Sequence, residues 1–270
     1  MFKRYVRLYQ VLITQFFKIV LQSKVDFFLG LIGFFLVEMQ GVAFLLVIFQ
    51  QIPNLRGWTL AEMVFIYGFA QIPRGLDHLF TDTIWFLSDG LVIDGDFDRY
   101  MVRPMNLFFQ MIAERIQIDA LGELLMGILL VGWSISNGRI EISVVGILLF
   151  IISMIAGSII YTAIKLFCAS LAFWMKSSFP ILKFAYRAAD FGKYPFEIYS
   201  KAIKILITWI IPFGFVAYLP STYFLKKGSF MGVTGNPIAI GIECIIAVIL
   251  WVIAYGTFKV GTSHYESAGN

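Results

Sequence analysis

Residues 142–174 read ISVVGILLFIISMIAGSIIYTAIKLFCASLAFW, and apart from Lys165 the stretch carries no charge. A surface helix of a soluble domain brings polar residues round every three or four positions, and this run does not. Since about 20 residues of helix cross about 30 Å of hydrocarbon, the stretch is long enough to span a bilayer with residues left over. Similar runs lie on either side of it, at residues 25–49, 59–79 and 118–136 before it and at 202–219 and 238–258 after it. Asn137 and Gly138 mark a tight turn between the third and fourth.

Composition agrees. Hydrophobic residues make up 59% and charged residues 14% of the 270 positions, where a soluble domain has roughly 45–50% and about 25%. The bilayer is therefore the expected solvent. Cys168 and Cys244 both sit inside apolar stretches and read as small packing residues, not as a metal or disulfide framework. The net charge of +4 bears on topology and gives no reason to expect a nucleic-acid partner.

Over the first 23 residues, Lys3, Arg7, Gln10, Thr14, Lys18 and Gln22 recur three or four apart, with aromatic and aliphatic residues between them. The pattern predicts an amphipathic helix lying in the membrane interface, its basic stripe toward the anionic leaflet. Gln15 and Lys18 interrupt the apolar run and no small-residue cleavage site follows, so the segment is expected to be retained.

Lys and Arg flanking the spans set orientation. With the N-terminus inside, fifteen basic residues fall in cytoplasmic segments, against four outside: Arg56, Arg139, Lys226 and Lys227. Both termini are then cytoplasmic, as are two long polar connections at about residues 88–117 and 175–201. No inverted repeat, low-complexity tract or appended soluble domain is evident, so residues 1–270 read as one membrane domain.

Sites of chemistry are few. There is no glycine-rich run followed by Lys and Ser or Thr to cradle phosphates, so the chain is not expected to hydrolyse ATP. His78 and Asp82 share a helical face with Arg74 and Asp77, which reads as a locally neutralised polar patch rather than a catalytic pair. Asp94, Asp96 and Asp98 alternate like the start of a calcium loop, but Arg99 replaces the required glycine and Met105 the final acid. Glu38, Glu62, Asp119, Glu123, Lys165 and Glu243 fall within apolar runs. Such charges are costly in lipid and predict packing against partners, with Lys165 paired to a carboxylate.

Four segments together carry a resemblance. They are Ile93-Asp94-Gly95-Asp96-Phe97-Asp98-Arg99-Tyr100-Met101-Val102-Arg103-Pro104, Tyr194-Pro195-Phe196-Glu197-Ile198-Tyr199, Ile211-Pro212-Phe213 through Tyr218-Leu219-Pro220, and Tyr265-Glu266-Ser267-Ala268-Gly269. In order and spacing they resemble the ABC-2 type transporter permease family, in the branch formerly classed as an uncharacterised permease component. The resemblance implies an all-α integral membrane protein: an N-terminal interfacial helix plus six transmembrane helices, forming a type V exporter-like domain.

It also implies a loop after the second span that docks on a partner ATPase, matched here by Gly95, Asp96, Phe97, Asp98, Arg99, Tyr100, Arg103 and Pro104. Phe97 and Tyr100 are three apart and would project as apolar anchors toward the ATPase. A re-entrant segment is implied outside, over residues 212–236, which includes Pro212 and Pro220. The expected partners are ABC ATPase subunits carrying the ATP and Mg, a second permease subunit (the same chain or a paralogue) and membrane lipid. This chain is expected to hold no cofactor. The expected function is outward movement of an amphipathic or hydrophobic solute such as a drug, an antimicrobial peptide or a lipid-like molecule. Two rival readings are a proton-coupled secondary transporter and a membrane anchor or sensor that transports nothing.

Overall fold

In the computed structural model, residues 14, 24–138, 140, 143–228 and 235–266 are described. The expected interfacial helix at residues 1–23 lies outside them, save Thr14. Among the described residues all regular structure is helical, apart from a bridge between Leu55 and Trp58 in the first turn. The helices are α1 (Lys24–Gln51), α2 (Leu60–Thr81), α3 (Ile84–Asp89), α4 (Asp98–Met101), α5 (Leu107–Glu114), α6 (Leu121–Gly138), α7 (Val144–Ser170), α8 (Ala172–Met175), α9 (Phe179–Ala189), α10 (Lys201–Ile205), α11 (Tyr218–Leu225) and α12 (Ile238–His264).

Among the described residues, four helical stretches are long and apolar enough to cross a membrane: Phe28–Gln51, Ile118–Gly138, Val144–Met175 and Ile238–His264. They match the first, third, fourth and sixth apolar runs. The second run forms α2, which holds Glu62, Arg74 and Asp77 and is not apolar enough by that standard. It is the centre of the bundle instead, buried along most of its length between α6 and α7. Its start is fixed by a capping box: Thr59 Oγ1 accepts from the Glu62 backbone N–H, and Glu62 Oε2 accepts from the Thr59 N–H at 2.8 Å. Glycines let α2 and α6 approach closely, for a Cβ on Gly75 would stand 2.9 Å from the Leu124 backbone nitrogen.

The fifth expected span, residues 202–219, is not a continuous helix. α10 passes into one π turn, Leu206–Ile210, and the chain then breaks at Ile211 and Pro212. Lys201–Ile210 and Phe213–Leu225 meet at an 85° bend. Pro212 has no N–H to continue the ladder, and its ring crowds the preceding turn.

Residues 175–201, expected as a polar cytoplasmic connection, pack along the bundle over much of their length. Ser178 N–H donates to the Ser88 carbonyl at 2.9 Å, just beyond the C-terminal end of α2. Further along, Lys193 Nζ lies 3.6 Å from Glu38 in the middle of α1, and Tyr194 packs on Tyr67. Glu197 then accepts from Trp58 Nε1 at 3.3 Å, just before α2 begins. Residues 178–197 therefore run antiparallel to α2 along its length. One α-helix, a 3-10 turn and a short extended piece cover roughly 30 Å. Of the charges that made this segment look like an aqueous loop, Asp190 and Lys193 are paired within the bundle.

Candidate functional site

The polar groups of α2 face inward and meet partners from four other elements. Asp77, with no solvent exposure, is the hub of one group: Lys165 Nζ of α7 lies 2.8 Å from its Oδ2, and Thr162 Oγ1 and Thr81 Oγ1 donate to its Oδ1 at 2.8 and 2.7 Å. Tyr186 of α9 donates to Oδ2 at 2.5 Å. Lys165 also reaches Asp82 at 3.6 Å. The expected pairing of Lys165 with a carboxylate is thus observed, and its partner is Asp77 on α2.

A second group continues from it. Arg74 lies 3.1 Å from both Glu123 of α6 and Asp190, and His78 Nδ1 lies 2.8 Å from the other Glu123 oxygen. Asp190 also meets Lys193 at 3.1 Å, and Lys193 reaches Glu38, to which the Tyr67 hydroxyl donates at 2.9 Å. His78 and Asp82 thus belong to a neutralised polar patch, with no nucleophile between them. Each buried acid in these two groups faces a cation, which offsets the penalty of removing charge from water. Glu243 differs: its partner is Ser153 at 2.5 Å, and no cation lies within 4 Å among the described residues.

Beside the network is a cavity of about 570 Å³ bounded by α1, α2 and the 178–197 segment. It extends from Trp85 and Lys183, near the Ser88 end, to Glu38 and Tyr67 at mid-bundle. Arg187, Asp190 and Lys193 contribute the third wall. Sequence reasoning missed all three because it assigned their segment to a loop. A signal was present, since Leu182, Ala185, Tyr186 and Ala189 form one buried face at helical spacing.

The residues expected to couple to an ATPase lie in a compact loop with α4 at its end. Gly95 has φ +76, a conformation that L side chains avoid, and its carbonyl accepts from Asp98 N–H. Phe97 and Tyr100 do not project outward, contrary to expectation. Phe97 has no solvent exposure and packs edge-on against Phe173 and Tyr265, each 5.1 Å away between ring centroids. Tyr100 is buried beside it, its hydroxyl donating to Glu114 and accepting from Arg99 at 3.0 Å. Burial and then Glu114 push the Tyr100 phenol up to about 12. Phe173 of α8 and Tyr265 just after α12 supply the apolar surface against which Phe97 is buried. The outer surface is formed by Ile93, Asp96, Met101, Val102, Arg103 and Pro104, with Val102 80% exposed.

Of the two prolines assigned to an external segment, Pro212 is half-buried at the chain break and Pro220 is buried in the first turn of α11. Residues 213–225 pack into the bundle, where Phe224 joins Phe65 and Phe69 and Tyr218 stacks on Phe196. Residues 229–234 of that expectation lie outside the described residues.

A bundle of long apolar helices around a charged, cavity-forming central helix is the architecture of a multi-pass membrane permease. Residues 35–269 match the family model for ABC-2 family transporter protein, and the chain belongs to that family. A comparison with curated protein sequences gives no match.

Proposed function

We propose that this chain is the transmembrane subunit of an ATP-driven exporter whose ATPase is a separate polypeptide. The observation that carries the reading, beyond family membership, is the cavity rising beside α2 from one end of the bundle to its middle. A membrane anchor needs no such charged recess. A proton-coupled carrier would need a chain of exchangeable acids, whereas Glu38, Asp77 and Glu123 are each tied to a cation and Glu243, which has no cation among the described residues, is held by Ser153 apart from them.

In this reading α2 and the 178–197 segment complete six crossings, and both termini lie in the cytoplasm of a cell. The loop from Gly95 to Pro104 meets the ATPase through Met101, Val102, Arg103 and Pro104, while Phe97 and Tyr100 anchor it to the bundle. ATP-driven closure of two ATPases pushes two such loops together and alternates access to a path between two permease subunits, identical or paralogous. The solute is amphipathic or hydrophobic and moves outward. The broken segment around Pro212 and Pro220 forms the re-entrant element on the outer side.

The test is purification in mild detergent, followed by reconstitution. A separate ATP-binding subunit should copurify, and hydrolysis should require it. ATP hydrolysis by the isolated chain at transporter rates would overturn the proposal.

A further inference from the structure

Four cations line the cavity, and they are not equivalent. Arg74 is engaged by Glu123 and Asp190, and Lys193 by Asp190 and Glu38. Lys183 and Arg187 have no carboxylate within 4 Å among the described residues; Lys183 only overlies the Phe179 ring at 5.7 Å. Both are exposed, and their four-residue spacing on α9 puts them on one face, one turn apart. The acids of the wall are already matched: Glu38 and Asp190 to the inner cations and Asp82 to Lys165. Lys183 and Arg187 are thus the two cavity cations without a carboxylate partner among the described residues, although with Asp77, Glu123 and Lys165 behind the wall counted in, the five carboxylates are balanced by five cations.

The opposite, α1 wall is apolar apart from Glu38. It is made by Phe34 and Val37 of α1, with Val37 65% exposed, and Trp85 lies at the mouth. Lys183 stands near the end of the bundle marked by the Ser178 to Ser88 hydrogen bond, which in the exporter reading is the end facing the inner leaflet. A small inorganic anion would leave the apolar wall unused, and a neutral amphiphile would leave Lys183 and Arg187 without a direct partner.

We infer that this cavity binds an amphiphile with a phosphate or carboxylate head group, held by Lys183 and Arg187 with its apolar part along Phe34 and Val37. This deepens the exporter reading, on which it rests, by naming the chemistry of the solute that enters from the inner leaflet. Arg187 supplies a planar fork for two anion oxygens and Lys183 a point charge.

The test is calorimetric titration of the full chain in a neutral detergent with dihexanoyl phosphatidic acid, dihexanoyl phosphatidylcholine and inorganic phosphate. Phosphatidic acid should saturate one site, with the other two ligands at least about tenfold weaker. Losing two charge-assisted contacts in K183Q/R187Q should weaken phosphatidic acid by about tenfold or more, while K183R/R187K, which keeps both charges but moves the fork, should weaken it less. Equal binding to wild type and K183Q/R187Q, or inorganic phosphate or phosphatidylcholine binding as tightly as phosphatidic acid, would overturn the inference. If the double variant is misfolded by gel filtration and circular dichroism, R187Q alone makes the comparison. ATPase copurification is scored on the same preparations. Coupled transport without phosphatidic acid binding sinks this inference alone, and binding without any ATPase partner sinks the exporter reading alone.

Discussion

Trp58 Nε1 donates to Glu197 at 3.3 Å across 139 residues of sequence. Trp58 precedes α2, so Glu197 stands at the opposite end of the bundle from Ser178, which bonds to Ser88. A segment carrying Lys183, Arg187, Asp190 and Lys193 thereby runs the length of α2. Lys176 and Lys201 flank it, and both are exposed.

This gives a topology prediction. In a background lacking Cys168 and Cys244, single cysteines at Asn54, Asn137, Asn236 and Lys201 should react with an impermeant thiol reagent outside intact cells. Cysteines at Lys176 and Val102 should react only after permeabilisation. Labelling of Lys176→Cys and Lys201→Cys from the same side would return residues 178–197 to a loop.

Lys165 and Asp77 are wholly buried. Lys165→Met removes one charge of the pair and should destabilise the protein by about 3–5 kcal/mol, because Asp77 is left uncompensated. The double variant Lys165→Met, Asp77→Asn should recover a large part of that loss. Thermal unfolding in detergent reads both, and a single variant as stable as wild type would make the pair dispensable.

Phe97 and Val102 should separate folding from docking. Phe97→Ala empties a buried site between Phe173 and Tyr265 and should cost about 3–5 kcal/mol of stability. Val102→Asp alters a residue that is 80% exposed, so it should leave unfolding unchanged and reduce recovery of the ATPase subunit in pull-down. Equal ATPase recovery with Val102→Asp would move the contact elsewhere on the loop.

Tyr100 predicts an alkaline limit. Its phenol is raised from 10.0 to about 12, first by burial and then by Glu114. Between those values the unfolded chain has lost this proton while the folded chain keeps it, so stability is full below pH 10 and falls as pH rises toward 12. Denaturation followed over that range should show a shallower decline for Tyr100→Phe than for wild type. Identical slopes would mean that Tyr100 contributes nothing to it.

The sequence alone determined that this is a helical membrane protein, because runs such as residues 142–174 leave no polar face for water. It also carried the family, through short segments at Gly95 to Pro104, Tyr194 to Tyr199 and the Pro212 region. Hydropathy is a local average, however, and it fails where a charge is cancelled by a residue far away in the chain. Only the tertiary structure revealed that Lys193 meets Glu38 and that Arg74 meets Glu123 and Asp190. Those pairings turn an apparent cytoplasmic loop into a wall of the cavity. The same limit applied to Phe97. Spacing put it on one face with Tyr100, but which way that face turns depends on Phe173 and Tyr265, more than 70 residues away in sequence. Solvent preference is written residue by residue, whereas charge compensation and the direction of a face arise only when distant helices meet.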